Sequence, residues 1–98
     1  MSWTAVCSVA DIPANAGVAA LLNGKQVAIF KVDGEVFAID NHDPFSGANV
    51  LSRGIVGSID DELVVASPIY KQHFALATGR CLEDETQSIN AYSVRLDG

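Results

Sequence analysis

Three side chains of this 98-residue sequence are suited to binding a metal ion: His42, Asp43 and His73. Two imidazoles and a carboxylate could hold iron or zinc. They belong to two proline-containing polar stretches, Asn41-His42-Asp43-Pro44-Phe45-Ser46-Gly47 and Ser67-Pro68-Ile69-Tyr70-Lys71-Gln72-His73-Phe74. Both stretches would have to be loops that meet in space. The competing reading leaves His42 in solvent and His73 capping or packing the second loop. Nucleophilic chemistry has a weaker basis, because a thiol needs a nearby cation to become a thiolate and a histidine oriented by a third group. Cys81 follows Arg80, but Glu83, Asp84 and Glu85 oppose a thiolate there, which argues against catalysis. Cys7, within Trp3-Thr4-Ala5-Val6-Cys7-Ser8-Val9, is read as a small packed hydrophobe. The acidic run 83–85 is read as a solvated loop, the alternative being an electrostatic contact for a basic surface.

The elements that must position these residues are short strands. Apolar runs of five to seven residues separated by frequent turn signals predict an all-β domain. A first strand is expected over Trp3–Val9, broken at Asp11-Ile12-Pro13 because proline cannot donate to a ladder. Val18–Leu22 and Gln26–Val32 flank Asn23-Gly24, the dipeptide best suited to the two positive φ angles of a type I′ turn. Asp33-Gly34 repeats the device before Glu35–Asp40, so three strands form a meander. Asn41–Gly54 has no sustained period and reads as a long connection, of the kind that is usually functional or mobile. Ile55–Ile59 and Leu63–Ser67 follow as a hairpin across Asp60-Asp61-Glu62, and Pro68–Gln72 is the second loop. His73–Ala77 and Ala91–Leu96 complete the strands, with a turn at Thr78-Gly79 and an irregular acidic stretch over Arg80–Ser88.

Composition narrows the function classes. Residues 1–98 are expected to form one domain, too small for a complete redox enzyme and so part of something larger. Twelve acidic and six basic residues give a net charge of −6, which disfavours a nucleic-acid partner. The apolar residues, 49% of the chain, fall in short runs, with no window near a membrane span and no signal-peptide pattern. The expectation is a chain neither secreted nor in a membrane, with both cysteines as free thiols. No Gly-x-Gly-x-x-Gly follows a strand and no cysteine quartet is present, so neither a dinucleotide nor an iron–sulfur cluster has a sequence motif here.

The two loops resemble the ligand loops of Rieske proteins, which supply Cys-x-His and Cys-x-x-His to a [2Fe–2S] cluster. Aligning Pro44 and Pro68 with the prolines common in those loops puts Asp43 and Phe45 at the first Cys and His, and Ser67 and Tyr70 at the second pair. None of these four can hold that cluster, and His73 lies three residues past the second ligand position, which weighs against the metal set. The resemblance covers about Trp3 to Leu96 and implies a Rieske-like β-sandwich of antiparallel strands. Within that superfamily, Asp43-Pro44-Phe45-Ser46-Gly47-Ala48-Asn49-Val50-Leu51-Ser52-Arg53-Gly54-Ile55-Val56-Gly57 and Val65-Ala66-Ser67-Pro68-Ile69-Tyr70-Lys71-Gln72-His73-Phe74 are similar to the small subunits of NAD(P)H-dependent assimilatory nitrite reductases. His42 stands where Arg is frequent and Ile69 where Leu is.

That likeness implies a cytoplasmic, cofactor-free accessory subunit. Its partner would be a large subunit carrying FAD, an iron–sulfur cluster and sirohaem that reduces nitrite to ammonium. Partner-binding candidates are His42, Pro44, Phe45, Arg53, Ile69, Tyr70, Lys71, Gln72 and His73. Two readings of the emptied loops stand side by side: Phe45 and Tyr70 fill the volume of the cluster and its imidazoles, or the loops keep an electron carrier's docking surface and present aromatics and cations to the large subunit. The rival functions are a Rieske-type ferredoxin with atypical ligands, an independent protein-binding module, and a domain that self-associates through exposed strand edges.

Overall fold

Both faces of the segment Lys25–Val32 are apolar, which predicts a strand buried on two sides, and it is the centre of the larger sheet. In the computed structural model, which describes residues 12–94, β1 (Ala16–Leu22), β2 (Lys25–Val32), β3 (Glu35–Asp40) and β7 (Ala91–Tyr92) form an antiparallel sheet in the order β1-β2-β3-β7. The expected strand Trp3–Val9, Cys7 and the end of the expected last strand, Arg95 and Leu96, lie outside the described residues. Both predicted hairpins form, with Leu22 paired to Lys25 and Val32 to Glu35. Their turns hold φ of 52° and 79° at Asn23-Gly24 and 52° and 82° at Asp33-Gly34, the left-handed region that glycine enters without cost to a Cβ.

A 3₁₀ turn at Leu51–Arg53 interrupts the long connection and leads into the second sheet, β4 (Ile55–Ile59), β5 (Glu62–Ala66) and β6 (His73–Ala75), ordered β4-β5-β6. Ala28, Phe30 and Val32 of β2 point toward this sheet and pack with Ile39, Leu51, Val65, Phe74, Leu76 and Cys81 in the main core. Val27 and Ile29 point the other way, onto Ile12, Ala38 and Tyr92. Burying each Val, Leu, Ile or Phe among them contributes on the order of 1.5–3 kcal/mol.

The second half departs from expectation in four places. The β4–β5 turn has two residues, not three: Ile59 pairs with Glu62, and Asp60 and Asp61 both take positive φ. The strand expected over His73–Ala77 stops at Ala75, and of the described residues in the expected last strand β7 takes Ala91 and Tyr92 but not Ser93 and Val94. The stretch Arg80–Ser88 is not irregular throughout, because Cys81 bridges Phe74, Arg80 bridges Ser88, and β6 exchanges Ala75 N–H to Arg80 O (2.9 Å) and Leu82 N–H to His73 O (2.9 Å). Without that partner the free edge of β6 would bury unpaired backbone groups.

Candidate functional site

Loops 41–54 and 67–72 follow β3 and β5 and meet at one end of the sandwich, the tip. Asn41, 1% exposed, organises the first. Its amide donates to Gln26 Oε1 (3.0 Å) and Asn49 O (3.2 Å), while its Oδ1 accepts Ser52 N–H (2.7 Å). Its backbone completes the hold, giving N–H to Gln26 O (3.1 Å) and taking Leu51 N–H (3.1 Å). A polar residue at the end of an apolar strand is the sequence signal for such a hub, and Asn is the type that bonds nearby backbone.

The loops contact each other through Asp43 and Ser67, both 0% exposed. Ser67 Oγ donates to Asp43 Oδ2 at 2.6 Å, the length of a charge-assisted bond. Asp43 Oδ1 accepts Phe45 N–H (2.9 Å), and Ser67 Oγ accepts Ile69 N–H (3.2 Å). Bonds to a charged group of this kind are worth about 1.5–3 kcal/mol net, and a buried carboxylate left without them is costly. Close backbone approach brings β4 to the same place: a Cβ on Gly54 would lie 2.3 Å from Ala66 O. Glycine is required there.

The aromatic candidates separate. Phe45 is half-buried, packs on the main core and sets its ring against Phe74, centroids 6.2 Å apart at 48°. It fills the interior, as one of the two readings held. Tyr70 does not fill it: 59% of Tyr70 is exposed, beside Ile69 at 45%. Ser67 N–H bonds to Gln72 O (2.9 Å) and Lys71 N–H to Ser67 O (3.1 Å), so Ile69 and Tyr70 ride a closed turn. Lys71, at φ 68°, ends that turn and its Nζ donates to Pro68 O (3.3 Å). His42 and Arg53 are exposed, Pro44 and Gln72 half-buried, and Gln72 Oε1 is enclosed without a hydrogen-bond partner.

The metal set is not assembled. No group of three or more His, Cys, Asp or Glu suited to a metal ion occurs among the described residues. Asp43 is closed off by Ser67, His42 faces solvent, and His73 belongs to Glu83, with Nδ1 2.6 Å from Oε2 and its N–H donating to Oε1 at 2.7 Å. Partial burial pushes the Glu83 carboxyl up, but the His73 N–H, ring and charge outweigh this and hold it below the usual carboxylate range. Glu83 is therefore a clamp on β6, not just solvated charge. Its distance in sequence hid the pairing. Asp84 instead bonds Thr86 N–H and Oγ1 in a local turn. Cys81 is fully buried with Sγ 3.9 Å from Glu83 Oε1, and Arg80 pairs with Glu62 (2.8 Å), so among the described residues the thiol has no activating cation.

The profile of the Rieske-like [2Fe-2S] domain family matches residues 2–98. The nitrite reductase (NADH) small subunit of Salmonella typhimurium is 48% identical over 96 residues, covering 96% of this chain and 89% of that one. A crystal structure of an NADH-dependent nitrite reductase small subunit from Mycobacterium tuberculosis superposes with a TM-score of 0.92 at 47% identity, over 97% of this chain and 86% of that one. The nitrite reductase [NAD(P)H] large subunit of Klebsiella oxytoca contains a segment 41% identical over 95 residues, which is 97% of this chain and 10% of that protein. A Rieske cluster takes two thiolates and two imidazoles. The side chains here do not fit one: the carboxylate and hydroxyl of Asp43 and Ser67 are bound to each other, Phe45 offers no donor atom, and Tyr70 points its phenol into solvent.

Proposed function

This chain belongs to the Rieske-like [2Fe-2S] domain family, and from that we propose that it is the small accessory subunit of an NAD(P)H-dependent nitrite reductase, with no cofactor of its own. It binds the large subunit and supports it, while FAD, sirohaem and iron–sulfur chemistry stay with that partner. The observation that carries this reading is the double occurrence of the domain. One relative has it as a separate small subunit, and another has it inside a large-subunit chain. A domain found both apart from and within the same enzyme has its binding partner in the rest of that enzyme.

The docking surface in this reading is the tip. Ile69 and Tyr70 are exposed apolar groups, and aromatic and Arg side chains are the usual anchors of an interface. Lys71 and Arg53 supply exposed cations with His42 also exposed, while Phe45 packs on Phe74 and Glu83 holds His73. Placement in the cytoplasm goes with the reading; no helix among the described residues is long and apolar enough to cross a membrane.

Co-expression with the large subunit from the same genome, followed by recovery through this chain, tests both claims. A coloured eluate that consumes nitrite with NAD(P)H is expected. Changing Ile69, Tyr70 and Lys71 together to alanine should weaken retention by at least about tenfold with this chain still folded, because such anchors carry most of an interface's energy. No co-purification of the wild-type pair would sink the proposal.

A further inference from the structure

We propose that Asp43 and Ser67 are positioning residues of the docking surface: their buried hydrogen bond sets where Ile69 and Tyr70 stand relative to the first sheet, although neither residue reaches solvent. This rests on the reading of the tip as the large-subunit contact. The two loops are built alike. Asp43 gives its N–H to Ala48 O (2.9 Å) and takes Gly47 N–H (2.8 Å), and Ser67 gives its N–H to Gln72 O (2.9 Å) and takes Lys71 N–H (3.1 Å). Each residue also accepts, through a side-chain oxygen, the N–H two positions on, from Phe45 and Ile69 respectively. Each therefore closes its own loop into a small rigid ring.

One bond then joins the rings. Among the described residues no other hydrogen bond connects 42–50 with 67–72, so Ser67 Oγ to Asp43 Oδ2 is the polar link between them. The first ring continues directly from β3, and the second carries the exposed pair Ile69 and Tyr70. With the link made, the rim is referenced to the sheet through Asp43. Without it, the rim is held only by its attachment to β5 and β6, and a carboxylate oxygen is stranded in a site closed to water. The surface thereby arrives at its partner already ordered, which spares the cost of ordering a loop on binding.

Amide exchange on Ser67→Ala, Asp43→Asn, the double variant and Tyr70→Ala, paired with titration of the large subunit, tests this. In Ser67→Ala the Phe45 and Ile69 amides are expected to exchange at least about tenfold faster while β2 and β3 keep their protection, and affinity for the large subunit should fall about tenfold. The double variant should lose no more than Ser67→Ala alone, since once the bond is gone Asn replaces the stranded carboxylate with a neutral group. Tyr70→Ala should weaken binding with wild-type exchange. Unchanged Phe45 and Ile69 exchange in Ser67→Ala and in the isosteric Asp43→Asn would overturn the cross-link. Faster exchange with unchanged affinity would overturn the positioning role. Full affinity in Tyr70→Ala would instead remove the docking surface and leave the exchange result standing. Should Ser67→Ala not fold, Ser67→Cys, whose thiol is a weak donor, carries the same comparison.

Discussion

Asp40 shows how a single side chain can tie two neighbouring strands together. Its carboxylate accepts the Tyr92 hydroxyl at 2.5 Å and Asn90 N–H at 3.0 Å, joining β3 to β7 across fifty residues of sequence. Burial, with the hydrogen bond and charge of Asp40 added to it, pushes the Tyr92 phenol from its ordinary 10.0 up to about 12. The unfolded phenol ionises first, so the native state binds the extra proton and stability falls with rising pH. The contribution is complete below about pH 10 and is lost as pH climbs through about 12. Urea titrations across that window should show a steeper alkaline loss for wild type than for Tyr92→Phe. Parallel curves would mean that the phenol is not coupled to folding. At this scale the sequence revealed residue types without their partners. Asp43 and Ser67 could be recognised as groups unable to bind a cluster, but not as partners of each other, and Glu83 gave no sign of clamping His73, because those bonds span ten to twenty-four residues.

The hairpins show which elements were legible and why. Asn23-Gly24 and Asp33-Gly34 announce their turns because a type I′ turn demands two positive φ angles and the second falls on glycine. Asp60-Asp61 makes the same two-residue turn without glycine, at φ 52° and 66°, so the chemistry suggested a longer turn and the pairing register of β4 with β5 decided otherwise. Asp61 pays a left-handed penalty that glycine would not. Asp61→Gly is expected to stabilise the protein by about 0.5–1 kcal/mol, the left-handed relief exceeding the added chain entropy of glycine. A lower midpoint in urea would show that the Asp61 side chain contributes something the backbone account omits. The short β6 and β7 were beyond sequence reading for another reason: β6 is held by Arg80 and Leu82 after the chain turns back, and β7 by Ala38, Ile39 and Asp40 of distant β3, not by any pattern within either strand.

At the scale of the described molecule, four acids gather at the strand ends away from the tip. β3 and β5 run into the tip loops from Glu35 and Glu62, so the turns Asp33-Gly34 and Asp60-Asp61 lie at their other ends. There Glu35, Asp60, Asp61 and Glu62 line one open groove of about 510 Å³ with Phe37 and Leu63. At the tip, His42, Arg53 and Lys71 are exposed, while the carboxylates Asp40 and Asp43 are buried and hydrogen-bonded. Arg80 pairs with Glu62 at that far end and Glu83 with His73 beside the tip, so the surplus charge of the tip rests on exposed Lys71 and Arg53, which would steer docking toward an acidic face on a partner. Association with the large subunit should therefore slow by about tenfold between ~0.05 and ~0.5 M salt, as screening shortens the reach of these charges. Lys71→Glu should slow it at low salt, and a rate indifferent to both changes would exclude steering. This placement could not be read from a net charge of −6, which is a sum without positions. What the sequence determined by itself was everything carried by near neighbours: the all-β class, the glycine turns, and two loops whose side chains cannot ligate a cluster. The tertiary structure alone decided that Asp43 meets Ser67, that Phe45 goes inward while Tyr70 stays out, and that Glu35, Asp60, Asp61 and Glu62 line one groove away from the tip. The reason is physical: strand pattern and turn geometry depend on adjacent residues, whereas hydrogen-bond partners, burial and surface potential depend on which distant segments the packed sheets bring together.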